Sequence, residues 1–350
     1  MRLDGEDYVI RLDGSEVADK SLIGGKAWSI SRMKELGVPV PPAFVLSTDA
    51  CRYFLANGTL PKVVEFSLRE SIGWLEGQAN RRFSGSRSPL LVSVRSGAEI
   101  SMPGMMDTVL NLGMNQEVEQ ALATEFADAE FARDTHCRFL RLYSEIVLKQ
   151  KIFSDDSDDP AKLADAIAAE GGVIPESGFD QLIAAIEAVF LSWNSRRAKR
   201  YRKHNGISDS LGTAVTVQAM VFGNLDEESG TGVLFSRNPL DGFKQPYGEY
   251  LAHAQGEDIV SGKVTPKPLS DLKERNIKGF DELLEATNIL EVENKEVQDI
   301  EFTIQAGKLF LLQSRTAKRA PAAALRFAID FVEEGLIDRV TAVKRLTLEQ

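Results

Sequence analysis

Cysteine and histidine are scarce in this chain, two and three respectively in 350 residues. Cys51 and Cys137 form no CxxC pair and stand in no cluster of cysteines and histidines with zinc-ligand spacing, which argues against a disulfide framework and a zinc set. Of the histidines, His136 and His204 fall in helical stretches and His253 in a loop, none in a setting that suggests a nucleophile. Long apolar runs are missing too, so no segment has the length of a membrane span, and the first seven residues lack the basic-then-apolar pattern of a signal peptide. A cytoplasmic location is the expectation. Positive charge is also in short supply: Lys and Arg number 41 against 52 Asp and Glu, a formal net charge of -11 that argues against a broad nucleic-acid surface. The run Arg196 to Lys203 is a local exception. With Tyr201 its single aromatic, it has nothing like the interleaved aromatics of a stacking platform and reads as a solvated face or a phosphate-facing edge. No internal repeat is visible. What is present is ordinary for a globular protein, 43% hydrophobic and 27% charged, with length enough for two or more packed units.

Glycine-punctuated turns alternate with apolar runs up to Gly113. Gly24-Gly25-Lys26 opens an expected helix that runs to Leu36 and is closed by Gly37 and the prolines from Pro39 to Pro42. Strands are expected from Phe44 and over Leu90 to Arg95. From about Asn115 to Lys149 the spacing is helical, the acidic stretch 154–160 reads as a surface loop, and further helices reach Lys203. After Gly212 the texture turns to strands at 213–222, 230–237 and 247–251, completed by a hairpin over 297–315 as one mainly antiparallel sheet. The tail from Ala320 is helical. These elements predict an α+β chain with a helical insertion, divided as 1–113, 114–203, 204–318 and 319–350.

The hairpin carries the strongest chemical pattern. Residues two apart on a strand share a face, so Asp299 and Glu301 point one way, and Gln313 and Arg315 share a face of the returning strand. With Glu301 across from Gln313 and Asp299 across from Arg315, Phe302 meets Leu312 and Ile304 meets Phe310. That register needs a loop with an odd number of residues, such as Ala306-Gly307-Lys308, or a bulge. Two carboxylates on one strand suit Mg2+, a hard cation that takes oxygen ligands, and an adjacent arginine supplies charge to phosphate oxygens. An isolated D-x-E is ordinarily a solvent face. The Q-x-R opposite it favours phosphoryl transfer, in which catalysis is mainly positioning and electrostatics.

Three further features face phosphate chemistry. Gly24-Gly25-Lys26 places backbone N–H groups and an ammonium at a helix start, without the upstream glycine and following Ser/Thr of a Walker A loop. Arg95 ends an apolar strand and precedes Ser96-Gly97. Gly230-Thr231-Gly232 is expected as a small loop whose amides cradle phosphate oxygens. The strand bearing Gln218, Met220 and Val221 offers backbone groups and apolar walls of the kind an adenine ring uses. Together they make a nucleoside triphosphate the leading ligand.

Longer strings carry a family resemblance. LVSVRSGAEISMPGMMDTVLNLG at 91–113, GTAVTVQAMVFG at 212–223, SGTGVLFSRNP at 229–239, YGEYL at 247–251, AQGED at 254–258 and QDIEFTI at 298–304 resemble the pyruvate, phosphate dikinase family. The resemblance runs from about Gly24 to the end, and SMPGMMD is similar to the phosphate-using dikinases, not to the water-using phosphoenolpyruvate synthases. It implies an ATP-grasp fold in which Lys26 and Arg95 contact ATP phosphates, Asp299 and Glu301 hold Mg2+, and Gln313 and Arg315 complete the phosphate site, with Arg315, Lys26 and Arg95 as the catalytic set. In the family a histidine on a separate swivelling domain attacks the β-phosphorus of ATP and AMP leaves. The γ-phosphate passes to inorganic phosphate as pyrophosphate, and the phosphohistidine carries its phosphoryl group to pyruvate bound in a C-terminal barrel.

The Gly-Gly-x-Thr-Cys-His type string of the family's histidine domain is absent from these 350 residues. The expected partners are therefore ATP, inorganic phosphate, a phosphohistidine domain or subunit and a pyruvate-binding domain, with no nucleic acid and no membrane. The chain is expected as the ATP and phosphate half of such an enzyme, alone unable to complete the reaction. Two alternatives stay open: an ATP-grasp phosphotransferase subunit with a different acceptor, and a nucleotide-binding module without turnover. The segment 149–175 is shorter than in full-length dikinases, and His253 stands where an amide-bearing residue is expected.

Overall fold

The computed structural model describes residues 8–150, 158–261 and 264–346, so the expected acidic loop at 154–160 falls largely outside the described residues. The chain divides into two compact units, one formed by residues 1–35 and 41–220, the other by 36–40 and 221–350.

In the first unit a five-stranded antiparallel sheet has the order β1 (Val9–Arg11), β2 (Ala43–Leu46), β7 (Ala214–Ala219), β5 (Val92–Gly97), β6 (Thr108–Leu112), and β3 (Arg82–Phe83) pairs in parallel with β4 (Pro89–Leu90). Every residue of β7 is buried. A central strand covered on both faces reads as a nearly continuous apolar run, which is why Thr216 and Gln218 are its only polar interruptions. The helices of this unit are α1 (Lys20–Glu35), α2 (Thr48–Asn57), α3 (Lys62–Ala79), α4 (Gln116–Phe126), α5 (Ala129–Ile146), α6 (Pro160–Ala169), α7 (Gly178–Ser192) and α8 (Arg196–His204). Their starts follow local chemistry: Ser47, Asn115, Asp128, Ser177 and Ser195 each cap a helix by accepting a backbone N–H bond. Helices α1 and α7 both pack against the sheet. Burial raises both thiols, Cys51 and Cys137, to about 11, which keeps them protonated and inert at neutral pH.

The second unit holds a five-stranded antiparallel sheet in the order β10 (Lys267–Pro268), β9 (Tyr247–Ala252), β8 (Gly230–Phe235), β11 (Gln298–Gln305), β12 (Lys308–Thr316). Its helices are α9 (Gly256–Ser261), α10 (Ser270–Arg275), α11 (Ile277–Asn294), α12 (Pro321–Glu333) and α13 (Arg339–Lys344). Ile300, Phe302, Ile304, Leu309, Leu311, Leu234 and Tyr250 are buried on one side of this sheet, and α11 packs against β11 and β12.

The fold is α+β with antiparallel sheets, as the pattern predicted, but the strands do not form one sheet. β7 belongs with the strands of the first unit, while β8, β9, β11 and β12 make the second. The chain therefore passes between units at Met220 and Val221, inside the segment 204–318 expected as one piece. Residues 36–40 also lie apart from the rest of the expected segment 1–113: the Pro39 carbonyl accepts the Leu311 N–H at 2.8 Å. A backbone bond made across such a span of sequence leaves no trace in local pattern.

Candidate functional site

In the first unit the start of α1 meets the end of β5. Gly24 has φ 75 and ψ 163, so the regular helix begins after it, where Gly25 and Lys26 follow. A Cβ on Gly24 would lie 1.7 Å from the Gly97 carbonyl oxygen, and the Gly25 N–H donates to the Ala98 carbonyl at 3.0 Å. Only glycine permits both that dihedral pair and that approach. The contact delivers Lys26 to Gly97, whose own Cβ would lie 3.2 Å from that of Lys26. Arg95 and Gly97 share a strand face, so Lys26 and Arg95 are gathered on one side of the sheet. Arg95 pairs directly with Thr216 on β7 and with Thr108 on β6, which puts two hydroxyls in its row. The sequence reading missed both threonines. Strand alternation alone could not tell which neighbours flank Arg95.

Gln218 follows Thr216 by two residues on β7, so it lies on the same sheet face, opposite Ser93. It is 2% exposed and donates through Nε2 to the Pro41 carbonyl at 3.2 Å, an internal structural bond. The Met220 N–H is likewise committed, to the Leu91 carbonyl at 2.9 Å. Met220 and Val221 are half-buried at the junction between units.

In the second unit Asp299 pairs with Arg315 and Glu301 with Gln313, the expected polar register. The ladder shifts between Glu301 and Phe302, so the core pairs become Phe302 with Leu311 and Ile304 with Leu309 instead of the expected Leu312 and Phe310. Leu312 is the extra residue of a β-bulge. The loop is then only Ala306-Gly307, both at positive φ (47 and 74), as a type I′ hairpin turn requires. Without the bulge, a two-residue loop would send Gln313 and Arg315 to the face opposite the carboxylates. With it, Leu309 and Leu311 enter the core and Phe310 and Leu312 stay half-buried on the chemical side.

Opposed residues in an antiparallel ladder share a face. Asp299, Glu301 and Thr303 of β11 therefore lie together with Gln313 and Arg315 of β12, Thr231 and Val233 of β8, and Glu249 of β9. Asp299 is 7% exposed and its Oδ2 accepts from Arg315 Nε at 2.8 Å. This charge-assisted bond fixes both groups. Thr303 went unnoticed in the sequence, although it continues the 299, 301 alternation.

The expected glycine loop at 230–232 is not a loop. Gly230, Thr231 and Gly232 form the start of β8, paired on both sides, so the ladder takes their backbone groups. The glycines serve packing: a Cβ on Gly230 would lie 2.1 Å from the Tyr250 hydroxyl oxygen, and one on Gly232 would lie 2.4 Å from the Phe302 ring. Those two rings stack with centroids 6.4 Å apart. Thr231 is buried and its hydroxyl donates to the Phe302 carbonyl at 3.1 Å.

The donor set is all oxygen, two carboxylates with the Gln313 amide across from one of them. That chemistry fits Mg2+, which keeps waters and accepts phosphate oxygens to fill its shell. No group of three or more His, Cys, Asp or Glu side chains able to hold a metal occurs among the described residues, so a dedicated all-protein cage is not what they offer.

A family model described as the pyruvate phosphate dikinase AMP/ATP-binding domain matches residues 20–76 and 58–279. The chain belongs to this family. It is 40% identical to the pyruvate, phosphate dikinase of Clostridium symbiosum over 365 residues, covering 97% of this chain and 42% of that protein. Pyruvate, phosphate dikinase 1 of rice, a chloroplastic protein, is 44% identical over 352 residues, with 93% of this chain and 37% of that one covered. The counterpart from Arabidopsis thaliana is 42% identical over 350 residues, 93% and 36%. The chain thus spans about two fifths of the length of these dikinases. Among the described residues no helix is long and apolar enough to cross a membrane.

Proposed function

We propose that this chain is the ATP- and phosphate-binding part of a pyruvate, phosphate dikinase-type phosphotransferase with an ATP-grasp fold. The observation that carries the reading is the bulged hairpin, which sets Asp299, Glu301, Gln313 and Arg315 on one face of the second sheet. Asp299 and Glu301 would hold Mg2+, whose charge is suited to phosphate oxygens. Lys26 and Arg95, gathered on one face of the first sheet, contact the phosphates of ATP. Arg315, held by Asp299, supplies positive charge where negative charge develops on the oxygens of the transferring group.

A histidine on another domain or chain attacks the β-phosphorus, and the bond to the α-phosphate oxygen breaks to release AMP. The γ-phosphate then passes to inorganic phosphate, giving pyrophosphate and a phosphohistidine whose phosphoryl group serves phosphoenolpyruvate formation from pyruvate. Each residue of this chain binds or orients; the nucleophile comes from outside these 350 residues.

The test is a calorimetric titration of the chain with ATP, with and without Mg2+. Saturable binding near one site per chain, strengthened by the metal, is expected. In the doubly substituted Asp299→Asn, Glu301→Gln chain the metal dependence should disappear. Metal dependence that survives both substitutions would remove the hairpin from the reading.

A further inference from the structure

The exposed turn after β5 is held in place from a distance. The Met105 N–H donates to the Met102 carbonyl at 3.1 Å, closing a four-residue turn with Pro103 and Gly104 at its tip. Gly104 has φ 70, and proline followed by a residue of positive φ is the pattern of a type II turn. Upstream, the turn is tied to the Lys26 region: Ala98 accepts the Gly25 N–H, and Ala98 and Met102 are buried against Trp193. Downstream it ends at Asp107, which is 8% exposed.

The downstream anchor is a side chain of α8. Arg197 Nε donates to the Met105 carbonyl at 3.1 Å, and the same guanidinium pairs with the Asp107 carboxylate. Lys149 Nζ reaches the other Asp107 oxygen at 3.3 Å, and the Asp107 N–H donates to Ser192 Oγ at 3.2 Å. Helix α8 is itself fixed. Buried Arg202 lies over the Trp193 ring, 4.0 Å from its centroid, and donates to the Trp193 carbonyl at 2.6 Å and to Asp209 at 2.7 Å. One arginine therefore grips the turn at a backbone carbonyl and at the carboxylate two residues on, and α8 cannot drift.

We propose that Arg197 is a positioning residue that clamps the Met102–Met105 turn in register with the Lys26 and Arg95 cluster. It acts through the turn, not on a ligand. The bulk of the run at 196–203 needs no such role, since Arg196 and Arg200 make no ion pair among the described residues. The clamp's link to nucleotide rests on the function proposed above; the clamp itself does not.

Hydrogen exchange of the full chain, read on peptides spanning residues 99–107, tests the two parts separately. Arg197→Gln and, as a second variant, Asp107→Asn should each speed exchange of this segment about tenfold while exchange in α7 stays unchanged. Arg196→Gln, one residue away, should change nothing. In calorimetry, MgATP affinity should fall about tenfold in Arg197→Gln and stay within about twofold in Arg196→Gln. Unaltered exchange in both clamp variants overturns the proposal, as does faster exchange with unaltered MgATP affinity. If the unsubstituted chain binds no MgATP, the function proposed above fails, and the exchange comparison alone still decides whether Arg197 holds the turn.

Discussion

At the scale of single residues, the demands on Gly24 and Arg315 differ in kind. Gly24 combines φ 75 with a Cβ position 1.7 Å from the Gly97 carbonyl oxygen. Alanine there must adopt a backbone conformation that side chains avoid and must push β5 away from α1. Gly24→Ala should lower stability by about 3 kcal/mol, read as a shift of the urea midpoint. The cost falls on the contact that brings Lys26 to Gly97. The Arg315 side chain is 38% exposed and pairs with Asp299, so its removal spares the core. Arg315→Ala should leave ATP affinity within about tenfold yet abolish phosphoryl transfer to a supplied histidine domain, because its charge matters most as the transition state develops. Equal losses of binding and transfer would sink that assignment. The carboxylates and this arginine were legible from i, i+2 spacing alone. The burial of Gln218 was not, because its partner is the backbone of Pro41, far away in sequence.

At the scale of the element, the hairpin shows how one surplus residue reconciles two constraints. A tight two-residue turn sets an even register, and the polar pairs need an odd one; Leu312 supplies the difference. The turn carries a local cost. Ala306 sits at φ 47, where alanine is disfavoured and asparagine tolerated, while its N–H is kept by Ser229 Oγ at 2.9 Å. Ala306→Asn should stabilise the chain by about 0.5 to 1 kcal/mol, measured by urea unfolding, with no effect on nucleotide binding. A loss of stability would mean that the alanine methyl is packed in a way the φ argument ignores. The alternation of 298–304 made the strand and its faces readable; the bulge was only one of two options until the partner strand's register fixed it. The same applies to Gly230-Thr231-Gly232, whose composition suggests a loop and whose glycines answer instead to the Tyr250 and Phe302 rings.

At the scale of the whole molecule, the second unit is tied together by a buried arginine. Arg237, fully buried just past β8, bonds Glu291 of α11 at 2.7 Å and Glu334, just past α12, at 2.8 Å, and lies over the Phe331 ring at 4.4 Å. Burial works against its charge, but the two carboxylates outweigh it and raise its affinity for the proton. Arg237→Met should cost about 3 to 5 kcal/mol, because Glu291 would be left buried without its cation. The pH dependence has a definite sign. The Arg237 hydrogen bond holds Glu334 below its ordinary value of 4.5, so the folded state binds this proton less readily than the unfolded chain. The stabilisation is complete above that ordinary value and is lost as pH falls through the lowered one. Urea midpoints should drop below about pH 4.5, and the drop should shrink in Glu334→Gln. An unchanged slope in that variant would assign acid sensitivity to other carboxylates.

The sequence by itself determined the helix starts, the strand faces, the carboxylate and arginine pattern and the long strings that mark the dikinase family, because all of these are written in spacing between near neighbours. Tertiary structure alone decided which sheet each strand joins, the division at residues 220 and 221, the bulge at Leu312 and the grip of Arg197 on the turn before Asp107. Each of those depends on a partner many residues away, and a local periodicity holds no information about which distant backbone or side chain completes the bond.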